Sequence, residues 1–373
     1  MIEDIEINNF RCFDRLKVSR CKRVNLISGK NNVGKTALLE AIFLSSMPSK
    51  DTIISLGDLR KELFISGKES SEKMWGKLFY QQNIDSYSCS MNLVFNDNTF
   101  KKIEIFVGEK QSFIAQLFAR ISSKSSVLHD EWMSNFREKA QFKDEQYIAI
   151  MLINQNSKII HKLIGLSSNY EINVEDAIGK YADMYQNTLF IPSTLRASGA
   201  KLTAEFDQSR LDDRDDAVLK AFQIIDSSII SVESFSIPEP TIYLKRQGEK
   251  RLPLSLFGDA MNRIAEIILK IINNQDSILL IDEIENGIHH SSQIAFWDFL
   301  YKLADQLNVQ IFATTHSLEM TEAFIKAGLD RADSAAHFEL TRNEKTNKIV
   351  AINRDLETLE YGISHHKEVR GGA

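Results

Sequence analysis

The chain has 373 residues, 43% of them apolar and 26% charged, and a formal net charge of -6. That length buries a core large enough for two lobes or for one head with an insertion, and the negative balance argues against a protein that coats nucleic acid through bulk charge. Cys12, Cys21 and Cys89 show neither metal-ligand spacing nor an even disulfide framework, the charged Glu3 and Asp4 leave no signal peptide at the start, and no apolar run approaches the ~20 residues that span a bilayer, so a reduced, cytoplasmic setting away from membranes is expected.

In chain order, the alternating stretches Ile2 to Phe13, Arg15 to Ser19 and Val24 to Ile27 read as strands. The third runs straight into Gly29-Lys30-Asn31-Asn32-Val33-Gly34-Lys35-Thr36, which fits the phosphate-cradling pattern G-x-x-x-x-G-K-[ST] and opens a helical run from Thr36 to Leu44. Glycines let backbone N–H groups turn inward on phosphates, Lys35 reaches the β/γ oxygens, Thr36 offers a hydroxyl to Mg²⁺, and the helix N-terminus adds partial positive charge. The nucleotide-contacting set is therefore Gly29, Asn31, Asn32, Val33, Gly34, Lys35, Thr36 and Ala37, and the ligand is a nucleoside triphosphate.

Met91 to Phe95 and Phe100 to Val107 form a hairpin around Asn96-Asp97-Asn98, the antiparallel sheet of a first lobe spanning 1–109. Residues 110–185 match no motif. Phe113 to Ile121, Glu131 to Phe142 and Val174 to Tyr185 read as helices and Tyr147 to Ile153 with Lys158 to Ile164 as a second hairpin, a compact insertion suited to a partner or sensing surface. A second lobe covers 186–373. It starts with the short strand Leu189-Phe190-Ile191-Pro192, and Asp212-Asp213-Arg214-Asp215-Asp216 then supplies acids to the first turn of a helix over Ala217 to Ile225, where carboxylates suit the dipole better than they suit a metal.

Three further segments narrow the chemistry. Ser277-Ile278-Leu279-Leu280-Ile281-Asp282-Glu283 is a buried strand ending in two acids: Asp282 orders Mg²⁺ and its waters, and Glu283 can polarise an attacking water. Val309 to Ser317 is another apolar strand with the polar tip Thr314-Thr315-His316-Ser317. Before both, Leu254-Ser255-Leu256-Phe257-Gly258-Asp259-Ala260 leads into an amphipathic helix, Met261 to Ile272, which taken alone is a helix start capped by Ser255 or Asp259. Ala336 to Ile352 reads as two strands with a turn at Asn343 to Asn347, followed by a short helix, Asp355 to Tyr361.

In this order the segments resemble the ABC-type ATPases. The opening Ile5-Glu6-Ile7-Asn8-Asn9-Phe10-Arg11-Cys12-Phe13, the loop text, the acids followed by Ile284-Glu285-Asn286-Gly287-Ile288-His289 and the Thr-Thr-His-Ser tip look like the RecF/SMC-like branch, and most like the ATPase group of the OLD (overcoming lysogenization defect) type. The resemblance implies an α/β fold, a P-loop ABC-type head with a mixed sheet core, flanking helices and an antiparallel β lobe. It also implies ATP and Mg²⁺ as cofactors, Glu283 as general base, His316 as the switch histidine near the γ-phosphate, Thr36 and Asp282 as metal-facing residues, and Arg11 as a phosphate or nucleotide contact.

Ser255 and Gly258 would act in trans on the nucleotide of a second subunit, making a homodimer or higher homo-oligomer. The bulky Leu256 and Phe257 stand where the family keeps small residues, and the family's site glutamine has no motif here, Gln81 and Gln82 being available. No room is left after the head for the nuclease that OLD proteins carry, so a separate nuclease-like effector is expected, as in bacterial anti-phage systems. DNA repair of the RecF kind, with DNA as partner, and an ATP-binding scaffold with little turnover are the alternatives.

Overall fold

A computed structural model describes residues 1–60, 71–82, 88–109, 147–156, 158–164, 171–175 and 187–364. Its elements run β1 (Ile2–Phe10), β2 (Phe13–Ser19), β3 (Val24–Ser28), α1 (Lys35–Ser46), α2 (Lys50–Leu59), α3 (Ser71–Gly76), β4 (Ser88–Phe95), β5 (Phe100–Glu109), β6 (Tyr147–Gln155), β7 (Lys158–Ile164), β8 (Glu171–Glu175) and β9 (Thr188–Ile191). The second half comprises α4 (Gly199–Leu211), α5 (Asp215–Ile225), β10 (Ile229–Phe235), β11 (Thr241–Arg246), β12 (Leu252–Pro253), α6 (Asp259–Asn273), β13 (Ile278–Ile281), α7 (His290–Gln306), β14 (Gln310–Thr314), α8 (Leu318–Gly328), β15 (Ala335–Arg342), β16 (Ile349–Arg354) and α9 (Leu356–Ser364).

The site is positioned by a six-stranded sheet in the order β16-β15-β3-β14-β13-β9. Its neighbours pair in parallel except for the β15–β16 hairpin. Its central strands are apolar on both faces, as a covered parallel sheet requires. Alternate residues divide between two cores. Ile27, Ile278, Leu280 and Phe312 pack with α1 and the first lobe. Leu26, Leu279, Ile281 and Ile311 pack with α6, α7 and α8. Because parallel strands all end on one side, the C-terminal ends of β3, β14, β13 and β9 converge, which is where open α/β sheets bind ligands.

The first lobe is an antiparallel seven-stranded sheet, β2-β1-β4-β5-β6-β7-β8. The expected boundary after residue 109 falls inside it: β5 pairs with β6 from Lys101↔Gln155 to Glu109↔Tyr147, so the strands from 147 onward extend the first sheet instead of standing apart. Val174 and Glu175, expected to start a helix, finish β8, where their period of two and β-branched neighbours are used in pairing with β7. The remainder of that helix and those over Phe113 to Ile121 and Glu131 to Phe142 lie outside the described residues. Gln310, 2% exposed, joins the two sheets: it accepts from the Ile2 N–H at 2.7 Å and donates to the Ile2 carbonyl at 2.7 Å.

The acid cluster at 212–216 behaves as helix-end electrostatics, with Asp215 and Asp216 in the first turn of α5. Cys12, Cys21 and Cys89 are free. No helix among the described residues is long and apolar enough to cross a membrane.

His337 on β15 is completely buried, with Nε2 2.9 Å from Ser28 Oγ. Burial, reinforced by Arg354, lowers its pKa from 6.5 to about 4. The unfolded chain therefore binds an extra proton between those values, so stability present above the unfolded pKa is lost as the pH falls, by up to about 3 kcal/mol. His337→Gln should flatten this slope: thermal melts between about pH 7 and 5 should show a smaller drop in melting temperature than in the parent, and equal drops would assign the acid sensitivity to other groups.

Candidate active site

The phosphate loop joins β3 to α1 in the expected place. Gly34 has φ +87° and is the N-cap of α1, with no side chain satisfying the first-turn N–H groups, which leaves them for an anion. A Cβ at this position would lie 2.5 Å from Cys12 Sγ and 2.8 Å from the Phe13 ring, so the β1–β2 turn and the backbone conformation both require glycine. Lys35 Nζ folds back to the carbonyls of Gly29 at 2.9 Å and Lys30 at 3.0 Å. Burial lowers its pKa, opposed by the field of Glu285, Asp282 and Glu283. Val33 is buried, while Asn31 and Asn32 are exposed on the loop and Ala37 packs in the core below it.

At the end of β13, Asp282 is 4% exposed and gathers three hydroxyl groups. Thr36 Oγ1 donates to its two oxygens at 3.0 and 3.1 Å, Thr314 Oγ1 to Oδ1 at 2.7 Å and Ser193 Oγ to Oδ2 at 3.0 Å. Glu283 takes the left-handed conformation, φ +49°, an unusual state for a residue with a Cβ and one found at functional turns. It is fixed there by its N–H on Thr314 Oγ1 at 2.9 Å and by Asn286 Nδ2, which donates to its carboxylate at 3.0 Å. His316, at the tip after β14, is held by Glu285, whose Oε1 lies 2.8 Å from Nδ1 and accepts from the His316 N–H at 2.8 Å. A carboxylate on one imidazole nitrogen sets ring orientation and tautomer. Beside it a cavity of about 240 Å³ is lined by Ser28, Gly29, Lys30, Asn31, His316 and Ser317, among others.

The structure thus brings Lys35, Thr36, Asp282, Glu283 and His316 to one edge of the sheet. Two expectations are corrected. Arg11 is 8% exposed and faces α1: its Nε lies 3.1 Å from Glu40 Oε2 and its Nη1 donates to the Lys77 carbonyl at 3.0 Å, while Arg60 takes the other oxygen of Glu40. A carboxylate buried in α1 needs these cations, so Arg11 braces the helix that follows the phosphate loop. Ser255 and Asp259 cap nothing: the chain turns through a short 3₁₀ segment, Leu254–Phe257, and Gly258 is the N-cap of α6 without a side-chain cap.

Ser255 and Gly258 are exposed and are not among the residues lining the cavity. Of the basic residues shortly before them, Arg246 pairs with Asp226 and Arg251 with Glu233, both at 2.7 Å. Gln81 lines a different cavity, by Asn8, Asn9 and Tyr80. Reading the sequence missed Thr314, Glu285, Ser193 and Arg263. Thr314 and Glu285 were within quoted motifs; Ser193 and Arg263 carried no local signal.

A phosphate-binding loop, an acid-tipped neighbouring strand and a polar strand tip with histidine, on a mixed sheet with an antiparallel lobe, define an ATPase head of the ABC/SMC/RecF type. The chain belongs to the AAA ATPase domain family, which matches residues 1–321. It is 25% identical over 334 residues to an ATP/GTP phosphatase of Helicobacter pylori, covering 86% of this chain and 87% of that one. It is 22% identical over 366 residues to the DNA replication and repair protein RecF of Ligilactobacillus salivarius, covering 85% and 91%. The SMC head solved with the C-terminal winged-helix domain of ScpA shares the fold, with a TM-score of 0.52 at 11% identity over 96% of this chain and 99% of that one. The protein binds and hydrolyses ATP.

Replacing Lys35 by Ala removes charge-assisted contacts to the phosphates worth ~1.5 to 3 kcal/mol each. Calorimetry should show no ATP binding by Lys35→Ala at concentrations that saturate the parent, and equal affinity would remove the triphosphate from this loop.

Proposed function

We propose that this ATPase is of the OLD kind and acts in the cytoplasm as a nucleotide-gated homodimer or higher homo-oligomer, regulating a separate nuclease-like effector in bacterial defence against phage. The observation that supports gating is the turn at Ser255 to Gly258. It lies exposed at a helix N-terminus with no side-chain cap, which suits an anion brought by another subunit. The exposed Leu256, 68% accessible, sits in the same turn and would be covered by closure.

Thr36 Oγ1 and the Asp282 carboxylate are hard oxygen donors beside the phosphate loop, which fits Mg²⁺, an ion commonly held by one or two carboxylates together with substrate phosphates. When bound, Mg²⁺ would neutralise charge on the β/γ oxygens. Glu283, locked by Thr314 and Asn286, is the base that takes a proton from the attacking water, and His316, oriented by Glu285, contacts the γ-phosphate. Resemblance to RecF over most of both chains supports a second reading, a DNA repair ATPase with DNA as partner.

Glu283→Gln keeps the shape of the site and removes the base. With ATP and Mg²⁺ its turnover should fall by about 10²-fold while sedimentation shows the closed dimer, and Ser255→Arg should bind ATP but stay monomeric. Parental turnover in Glu283→Gln would move the base elsewhere. Monomers at saturating ATP would contradict gating.

A further inference from the structure

Ser193 follows β9, the edge strand that pairs in parallel with the Asp282 strand from Ile278↔Thr188 to Ile281↔Ile191. It is 89 residues from Asp282 in the chain, yet its hydroxyl donates to Asp282 Oδ2 at 3.0 Å, on the carboxylate that also receives Thr36. The segment is anchored on both sides of the hydroxyl. Arg263 of α6 has no exposed surface, and its Nη1 donates to the Pro192 carbonyl at 2.9 Å while its Nη2 donates to the Asp282 carbonyl at 2.6 Å. Arg196 Nη1 donates to the Ser193 carbonyl at 3.0 Å. One buried guanidinium therefore sets the ends of β9 and β13 against each other, and a charged donor in a dry site holds that geometry firmly.

The proton of each hydroxyl is directed at Asp282, so what Thr36, Thr314 and Ser193 can offer elsewhere is lone pairs. Thr314 has already used one on the Glu283 N–H. Among the described residues no N–H or O–H is directed at Ser193 Oγ, and the residue is half-buried, open enough for an ion to reach. A hydroxyl polarised by a carboxylate, beside a second such hydroxyl and the carboxylate itself, is an oxygen set suited to a hard divalent cation.

The geometry points to Ser193 as a third protein oxygen of the Mg²⁺ site, ligating the ion alongside Thr36 and Asp282, with Arg263 as the residue that positions it. The inference rests on the reading that Mg²⁺ accompanies ATP in this site.

The test uses Mn²⁺ as a paramagnetic probe, with the full-length protein and a non-hydrolysable ATP analogue, and reads bound Mn²⁺ by electron paramagnetic resonance. Ser193→Ala should need about tenfold more Mn²⁺ for half-saturation, while binding the analogue without metal as the parent does. Ser193→Cys keeps the size but exchanges a hard oxygen for a soft sulfur, so its preference for Cd²⁺ over Mn²⁺ should rise by a similar factor, and this arm serves if Ser193→Ala fails to fold. Parental Mn²⁺ affinity in Ser193→Ala, or an unchanged Cd²⁺ to Mn²⁺ ratio in Ser193→Cys, overturns the assignment of Ser193 alone. A parent protein that binds no Mn²⁺ with the analogue overturns the Mg²⁺ reading as well.

Discussion

The carboxylate of Asp282 is the constraint on which the rest of the site depends. A carboxylate this buried is tolerated only when its oxygens are satisfied, and here hydroxyl groups from three other parts of the chain do so: Thr36 from the start of α1, Thr314 from the end of β14 and Ser193 from beyond β9. None is a near neighbour in sequence. Satisfying one acid therefore fixes the relative positions of the phosphate loop, the histidine tip and the edge strand, and the parallel sheet makes this possible by ending all their strands on one side.

A second layer ties this node to the parts that act. Thr314 passes the constraint to Glu283 through the Glu283 N–H, holding that residue in a left-handed conformation, and Glu285, two residues after Glu283, orients His316. Arg263 connects the same node to α6, whose N-terminus carries Ser255 and Gly258. The close approach of Gly287 to that helix start, where a Cβ would lie 2.9 Å from Ala260 Cα, makes a further contact between the post-strand loop and α6. Glu283, His316 and the start of α6 thus share one support.

Much of this was legible in the sequence, for local reasons. The loop from Gly29 to Thr36, the strands around it and the acid tip at Asp282 and Glu283 are encoded by spacing, alternation and turn residues within a short window, and the structure has them where the periodicity says. The helix-end role of Asp215 and Asp216 was equally local. What was not legible depends on partners distant in the chain. Arg11 is expected at the phosphate from the resemblance alone, and only the fold brings Glu40 to it. Ser193 and Arg263 carry no pattern at all, because their partners are set by which strands pair and not by neighbours in sequence. The start of the helix expected at Val174 failed because strand pairing with β7 outweighed local helical pattern.

The account stands or falls on the charge of Asp282. Asp282→Asn keeps the size and one acceptor oxygen but removes the negative charge. Steady-state ATP hydrolysis measured beside a thermal melt is the direct test: turnover should be lower by on the order of 10²-fold with the fold retained, because a negative charge is lost from an otherwise intact site. A folded Asp282→Asn protein that hydrolyses ATP at the parental rate would contradict it.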